Sequence, residues 1–85
     1  MNDAIPTVIL GGTGYVAGEL LRMIVQHPQL YVSAAISESR AGVPIRTVFP
    51  NLQDSFGDQT FVPRERLAEH ISDKVAIFCA APPAP

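Results

Sequence analysis

A glycine-rich segment between two apolar stretches constrains the fold of this chain more than any other feature. The segment "VILGGTGYVAGELLRMIV", residues 8–25, contains four glycines within a run of branched apolar residues. Glycine is costly inside a regular element unless the backbone turns sharply there or another group approaches it closely. The segment therefore predicts a tight turn, open to a close neighbour, between two regular elements.

The apolar stretches on either side of this turn differ in period. Ile5–Leu10 is rich in Ile, Val and Leu, which predicts a central parallel strand that is buried on both faces. From Gly14 onwards the apolar residues recur at helical spacing, and Pro28 marks the end of that helix. Tyr31–Ile36 then predicts a second strand. Strand, helix and strand within about 30 residues indicate a βαβ unit.

The rest of the chain predicts further elements of the same kind of fold. Residues 41–57 predict mostly ordered loop with a helical turn at 45–48, because glycines and prolines interrupt any period. Gln59–Val62 predicts a short strand, Pro63 the start of a helix over Arg64–His70, and Val75–Cys79 a buried strand. The prolines that follow cannot extend a sheet.

These elements predict an α/β fold of the Rossmann type. The expected architecture is part of a doubly wound parallel sheet with strand order 3-2-1-4, in one dinucleotide-binding domain over residues 1–85. An 85-residue chain that is 47 % hydrophobic has material for one compact domain only. The last strand would lack later elements to cover it, so we expect an incomplete domain.

Charge and cysteine content exclude several function classes. A net charge of -2 with scattered basic residues predicts no nucleic-acid partner and no membrane surface. The N-terminus lacks the features of a signal peptide, which favours a cytoplasmic location. Cys79 cannot form an internal disulfide or a multi-thiolate metal site, and its apolar strand predicts a buried structural thiol. We therefore expect no metal site.

The glycine segment fits two overlapping dinucleotide-binding patterns. Gly12, Gly14 and Ala17 fit G-x-G-x-x-G/A, and Gly11, Gly14 and Ala17 fit the looser G-x-x-G-x-x-G with its last position substituted. In both patterns one glycine permits the turn, the next lets a pyrophosphate approach the backbone, and a small third residue lets helix and strand pack closely. The alternative is an ordinary turn between packed elements.

The pattern also names the groups that would hold the phosphates. The N–H groups of Gly14, Tyr15 and Val16 would point at phosphate oxygens from the positive end of the helix, and the Thr13 hydroxyl would add a donor. About 20 positions later, this kind of fold uses an acidic residue for the adenosine ribose or a basic one for a 2'-phosphate. Glu38 and Arg40 supply both types, unless they are only solvated loop charges.

Four segments together resemble the N-acetyl-gamma-glutamyl-phosphate reductase family, which is related to the aspartate-semialdehyde dehydrogenases. The segments are "GGTGYVAGELLR", "HPQL", "SESRAG" followed by "VFPNL", and "IFCAAPP". They correspond to that family's cofactor loop and first helix, the approach to its second strand, its adenosine-side loop, and its fourth strand with the loop after it. The resemblance covers nearly the whole chain.

The resemblance implies an NADPH-dependent reduction of an acyl phosphate to an aldehyde, in arginine biosynthesis, through a thioester on an enzyme cysteine. That family's catalytic cysteine and histidine belong to its later, substrate-binding half, so we expect no catalytic residue in residues 1–85. The acyl-phosphate substrate would be bound by that later half, and the full-length protein would be a homo-oligomer.

The resemblance also implies a set of cofactor-binding residues. The glycine turn would hold the pyrophosphate, the loop after the second strand would lie near the adenosine phosphate, and the segment after the last strand would border the inner part of NADP(H). Glu38 stands where many family members carry arginine, so both NADP and NAD remain possible cofactors. The family usually has glycine where Ala17 stands and alanine where Gly18 stands. The candidate residues are Gly11, Thr13, Gly14, Tyr15, Val16, Ser37, Glu38, Arg40, Ala80, Ala81 and Pro82.

Three other interpretations compete with this one. The first is another enzyme of the same fold that acts on aspartyl phosphate or on a nucleotide-sugar or hydroxysteroid-type ketone. A second interpretation is a non-catalytic dinucleotide-binding module. A third is a structural βαβ domain without a ligand, which predicts no change in thermal stability when NADPH or NADH is added.

Overall fold

A computed structural model describes residues 4–11 and 14–80 of the chain. Within these residues the secondary structure consists of three strands, three α-helices and two 3₁₀ helices. None of the helices in this part is long and apolar enough to span a bilayer. The elements are β1 (Ile5–Leu10), α1 (Tyr15–Gln26), β2 (Leu30–Ile36), α2 (Ile45–Val48), a 3₁₀ helix at Pro50–Leu52, α3 (Gln53–Phe56), a 3₁₀ helix at Arg64–His70, and β3 (Ala76–Cys79).

The three strands form a parallel sheet in the order β2-β1-β3. The central strand β1 is buried on both faces, since Val8 and Ile9 are fully buried, as its apolar run predicts. Leu10 lies level with Ile36 of β2 and with Cys79 of β3. The carboxyl ends of all three strands therefore meet at one edge of the sheet.

The segment predicted as the third strand, Gln59–Val62, forms isolated bridges instead of a strand. Val62 makes a parallel bridge to Ile36 of β2, and Thr60 makes an antiparallel bridge to Pro44. The Val62 N–H donates to the Ala35 carbonyl at 2.9 Å, and the Ser37 N–H donates to the Val62 carbonyl at 3.0 Å. Pro63 has no N–H to extend the ladder. The position of Val62 agrees with the predicted strand order 3-2-1-4.

Helical elements cover both faces of the sheet. One face of the sheet packs against α1, and the other packs against Leu67 of the second 3₁₀ helix. The buried residues on the α1 side include Ile9, Ala17, Leu21, Ile24 and Ala35, and those on the opposite side are Val8, Ala34 and Ile36. A parallel sheet with cover on both faces is the doubly wound α/β arrangement, so the predicted Rossmann-type fold is confirmed.

In the second half, one sequence prediction is wrong and another is confirmed. The strand at Ala76–Cys79 is not buried: Ile77 is 49 % and Phe78 37 % exposed, because within the described residues β3 pairs with β1 alone. An apolar run predicts that a strand forms, but whether the strand is buried depends on other elements that pack against it. The predicted helix over Arg64–His70 is present with those bounds, and it is a 3₁₀ helix, after which the Ile71 N–H donates to the Ala68 carbonyl three residues earlier.

Candidate dinucleotide site

A cavity of about 560 Å³ lies at the edge where the three strands end. In open α/β sheets, ligands bind outside the carboxyl ends of the strands, where connections leave to opposite sides of a central strand. Here β1 is that strand, with β2 and β3 on either side. The lining residues are Leu10, Gly11, Gly14, Ile36, Ser37, Glu38, Ser39, Arg64, Leu67, Cys79 and Ala80.

Gly11 turns the chain out of the sheet at the end of β1. Its φ of +74° lies in the left-handed region, where glycine has no steric penalty. The Gly11 N–H donates to the Ile36 carbonyl at 3.1 Å, and the Ala80 N–H donates to the Leu10 carbonyl at 2.8 Å. These bonds place Gly11 and Ala80, both predicted cofactor residues, on the wall of the cavity.

Gly14 caps the N-terminus of α1 and lines the same cavity. Its backbone, at φ −87° and ψ −178°, is open to any residue, and a Cβ built there would meet no atom of the described residues within 4 Å apart from its chain neighbours. Neither backbone strain nor packing against the described part of the chain therefore requires glycine at this position. The open space above Gly14 fits the second role that the pattern assigns, close approach of a ligand to the backbone.

The first turn of α1 follows Gly14, which lines the cavity. The helix's hydrogen bonding begins with the Gly18 N–H, which donates to the Gly14 carbonyl at 3.0 Å. The preceding N–H groups, those of Tyr15 and Val16 among them, have no carbonyl of the helix to pair with. They carry the partial positive charge of the helix N-terminus, which binds anions. Tyr15 and Val16 are exposed, and neither of these two predicted cofactor residues is among the residues that line the cavity.

The small residues that follow serve packing. Ala17 is fully buried against the sheet, and a Cβ at Gly18 would lie 2.8 Å from Cε1 of Phe49. The Phe49 ring in turn packs against Phe61, with the ring centroids 6.4 Å apart. The Ala17–Gly18 pair therefore keeps both positions small, which lets α1 approach the sheet and Phe49.

The loop after β2 forms a second wall of the cavity. Ser37 is buried, and its Oγ accepts a hydrogen bond from the Arg40 N–H at 3.2 Å. Its Oγ lies 3.5 Å from the Ser39 Oγ. Glu38 and Ser39 are exposed and line the cavity, whereas Arg40 is exposed but does not line it. Of the two predicted adenosine-side charges, the structure brings only Glu38 to the cavity.

Six of the lining residues are not among the cofactor residues predicted from the sequence: Leu10, Ile36, Ser39, Arg64, Leu67 and Cys79. Arg64 and Leu67 reach the cavity because the bridge at Val62 brings their segment beside the end of β2. The carboxyl ends of parallel neighbouring strands lie at the same edge of a sheet. The sequence could therefore have indicated Arg64 and Leu67 only if the pairing of Val62 with β2 had been known. Cys79, predicted as a buried thiol, is exposed and lines the cavity, because β3 lacks cover. The predicted residues Thr13, Ala81 and Pro82 lie outside the described residues.

The charges around the cavity favour binding over acid–base chemistry. Among its lining residues the ionic side chains are Glu38 and Arg64. The pKa of Glu69 is lowered, chiefly by a hydrogen bond from Arg66, but that exposed pair lies away from the cavity. Within residues 4–11 and 14–80, no group of three or more His, Cys, Asp or Glu is placed to hold a metal ion. The cavity combines apolar strand ends, backbone donors and one charge of each sign, which suits a large ligand that carries phosphates.

Comparison with known proteins agrees with this geometry. Residues 6–84 match the family described as semialdehyde dehydrogenase, NAD binding domain. The resemblance drawn from the four sequence segments is therefore confirmed.

Individual relatives share between 39 % and 47 % of aligned residues with the chain. A [LysW]-L-2-aminoadipate/[LysW]-L-glutamate phosphate reductase of Saccharolobus solfataricus is 39 % identical over 96 % of this chain and 23 % of that protein. An N-acetyl-gamma-glutamyl-phosphate reductase of Acidothermus cellulolyticus is 40 % identical over 87 % of the chain and 21 % of that protein. A reductase of the same name from Pseudomonas aeruginosa is 47 % identical over 62 % of this chain and 15 % of that protein. The chain thus spans less than a quarter of the length of these curated relatives.

Proposed function

Since the chain belongs to the semialdehyde dehydrogenase NAD-binding domain family, we propose that it is the N-terminal dinucleotide-binding portion of an NADP(H)-dependent acyl-phosphate reductase. The observation that carries this proposal is the cavity at the carboxyl edge of the sheet, next to the N-terminus of α1 and the open space above Gly14. The catalytic groups that act on the acyl phosphate would come from a later part of the protein.

In this proposal the glycine turn holds the diphosphate of the cofactor. Gly11 directs the chain away from the sheet, and the N–H groups of Gly14, Tyr15 and Val16 donate to phosphate oxygens. The missing Cβ of Gly14 lets those oxygens come within hydrogen-bond distance of the backbone. A predicted donor, the Thr13 hydroxyl, would complete this group.

The other walls of the cavity would bind the two ends of the cofactor. The loop Ser37–Arg40 lies where folds of this kind hold the adenosine ribose, and Ala80, with the predicted Ala81 and Pro82, would border the nicotinamide side. When bound, the cofactor supplies the hydride that reduces the activated acyl group. The chain's own residues bind and orient that cofactor, and none of them is proposed as catalytic.

Two substrates are proposed in order of preference. The first is N-acetyl-gamma-glutamyl phosphate, which would place the protein in arginine biosynthesis. The second is a carrier-protein-bound aminoadipate or glutamate phosphate, because the relative of that name aligns over 96 % of the chain. The full-length protein should oxidise NADPH with one of these acyl phosphates, and oxidation with aspartyl phosphate instead would contradict both. A homo-oligomeric, cytoplasmic full-length enzyme remains a prediction.

A titration of the chain with NADPH and with NADH tests the cofactor proposal. Binding at a hundredfold excess over Kd should stabilise the fold by about 2.7 kcal/mol, which raises the melting temperature visibly. We expect both nucleotides to bind and NADPH to bind more tightly. A melting temperature that neither nucleotide changes would support the structural-domain interpretation and contradict the proposal.

A further inference from the structure

Arg64 approaches the cavity from a segment that is fixed to the end of β2. Two hydrogen bonds tie Val62 to that strand end, one to the Ala35 carbonyl and one from the Ser37 N–H. Pro63 then holds an extended conformation, with φ −70° and ψ 153°, and its ring restricts φ. The backbone of Arg64 is therefore held beside the loop that follows β2, where this kind of fold distinguishes ribose from its 2'-phosphate.

The guanidinium of Arg64 is available to a ligand. Arg22, Arg46 and Arg66 are each engaged in a salt bridge with a carboxylate. Arg64 is exposed and, within the described residues, forms no salt bridge. Arg40 is also exposed and unpaired in that part of the chain, but it does not line the cavity. Arg64 is thus the arginine that combines a free charge with a place on the cavity wall.

Because Glu38 is negatively charged, binding of a ribose 2'-phosphate beside it requires a positive charge such as that of Arg64. Glu38 lines the same cavity, and a carboxylate can accept hydrogen bonds from ribose hydroxyls, which favours NAD(H). The same carboxylate repels a 2'-phosphate, unless a nearby cation offsets it. A guanidinium fits this need, because it offers several donors in a planar arrangement that matches phosphate oxygens.

We propose that Arg64 is the specificity-determining residue that binds the 2'-phosphate of NADP(H) and offsets the charge of Glu38. This inference rests on the proposed dinucleotide function and adds to it the residue that selects the cofactor. Leu67, one turn further along the same 3₁₀ helix, would supply the apolar wall beside the adenine. Cofactor choice would then depend on two segments of the chain, the loop after β2 and the start of this helix.

The test is a calorimetric titration of the chain and its variants with NADPH and with NADH. Arg64→Ala should weaken NADPH binding by at least about tenfold, or about 1.4 kcal/mol, and leave NADH binding within about twofold. Arg64→Lys should retain part of the NADPH affinity, since it keeps the charge without the planar donors. The matched control is Arg66→Ala, which removes the same charge from the same helix away from the cavity and should leave the ratio of the two affinities unchanged.

A pair of smaller probes isolates the 2'-phosphate. Adenosine 2',5'-bisphosphate should lose affinity for Arg64→Ala, whereas adenosine 5'-monophosphate should not. Arg40→Ala, titrated alongside, tests the sequence prediction for that residue, and a loss of NADPH affinity there with none at Arg64 would overturn the inference.

The outcomes separate the inference from the function on which it rests. Equal losses for NADPH and NADH in Arg64→Ala would assign Arg64 to the adenine or ribose and overturn the inference while the dinucleotide function stands. If the unaltered chain binds neither nucleotide, the proposed function fails and the inference fails with it. Circular dichroism of each variant checks that the fold is retained.

Discussion

Gly14→Ala should separate cofactor binding from folding, because the position is open to a side chain in the folded chain. Apart from its chain neighbours, no atom of residues 4–11 or 14–80 lies within 4 Å of a Cβ built there, and φ is −87°. Alanine is a poorer N-cap than glycine, which costs about 0.5 kcal/mol. Alanine also restricts the unfolded chain, which returns about 0.4–1 kcal/mol. The net change in the free energy of unfolding should therefore lie within about 0.5 kcal/mol of zero.

The same substitution should damage binding. The new methyl group would occupy the space through which the diphosphate reaches the first N–H groups of α1. A hydrogen bond to a charged group contributes about 1.5–3 kcal/mol, so the loss of one bond weakens NADPH binding by about tenfold or more. Urea denaturation measures the stability and calorimetric titration the affinity.

Gly18→Val is the contrasting variant on the same helix. Its Cβ would lie 2.8 Å from the Phe49 ring, so we expect a loss of about 1–2 kcal/mol of stability from overpacking. Gly14→Ala with unchanged NADPH affinity would refute the reasoning, as would a destabilisation equal to that of Gly18→Val. Either result would mean that Gly14 is retained for packing or turning, not for a ligand.

Three further predictions concern the core, a surface ion pair and the thiol. Leu21→Ala should lower the free energy of unfolding by about 2–5 kcal/mol, measured by urea denaturation, because Leu21 is fully buried between α1 and the sheet; a change below that range would contradict the packing described. The pKa of the Glu69 carboxyl, followed by NMR, should rise in Arg66→Ala, because the hydrogen bond from Arg66 lowers it. The pair's contribution to stability is therefore present above the unfolded-state pKa of Glu69 and is lost as pH falls through its lowered folded-state value; an unchanged titration curve would show that the pair does not form in solution. Cys79 should react readily with N-ethylmaleimide and be protected by saturating NADPH, since it is exposed and lines the cavity; equal rates with and without NADPH would place the cofactor elsewhere.

Local signals determine the first half of the fold, and the sequence predicts it well. Helix α1 begins after Gly14 and ends just before Pro28, as the glycine turn and the proline indicate. The continuous apolar run of Ile5–Leu10 correctly predicts a central strand, because only a strand covered on both faces can bury such a run. The helical turn at Ile45–Val48 is confirmed as well.

The features that could not be predicted from the sequence depend on contacts between distant parts of the chain. Arg64 joins the cavity only because Val62 pairs with Ile36, 26 positions earlier in the chain, and no local pattern reports that partner. The burial of β3 depends on cover beside it, which an apolar run such as Ile77–Cys79 cannot supply. The roles of Gly14 and Gly18 are equally hard to separate from spacing alone, since one faces open space and the other faces Phe49.

The most direct test of the dinucleotide site is a titration of the isotopically labelled chain with NADPH, observed through its backbone amide resonances. The largest shifts are expected at Gly14, Tyr15 and Val16, because their N–H groups are the proposed donors to the diphosphate. A smaller shift is expected at Gly11, whose N–H is bonded to the Ile36 carbonyl. A second set is expected in the loop Ser37–Arg40. Shifts confined to other surfaces, or amides at the start of α1 that do not respond to saturating NADPH, would contradict the proposed site.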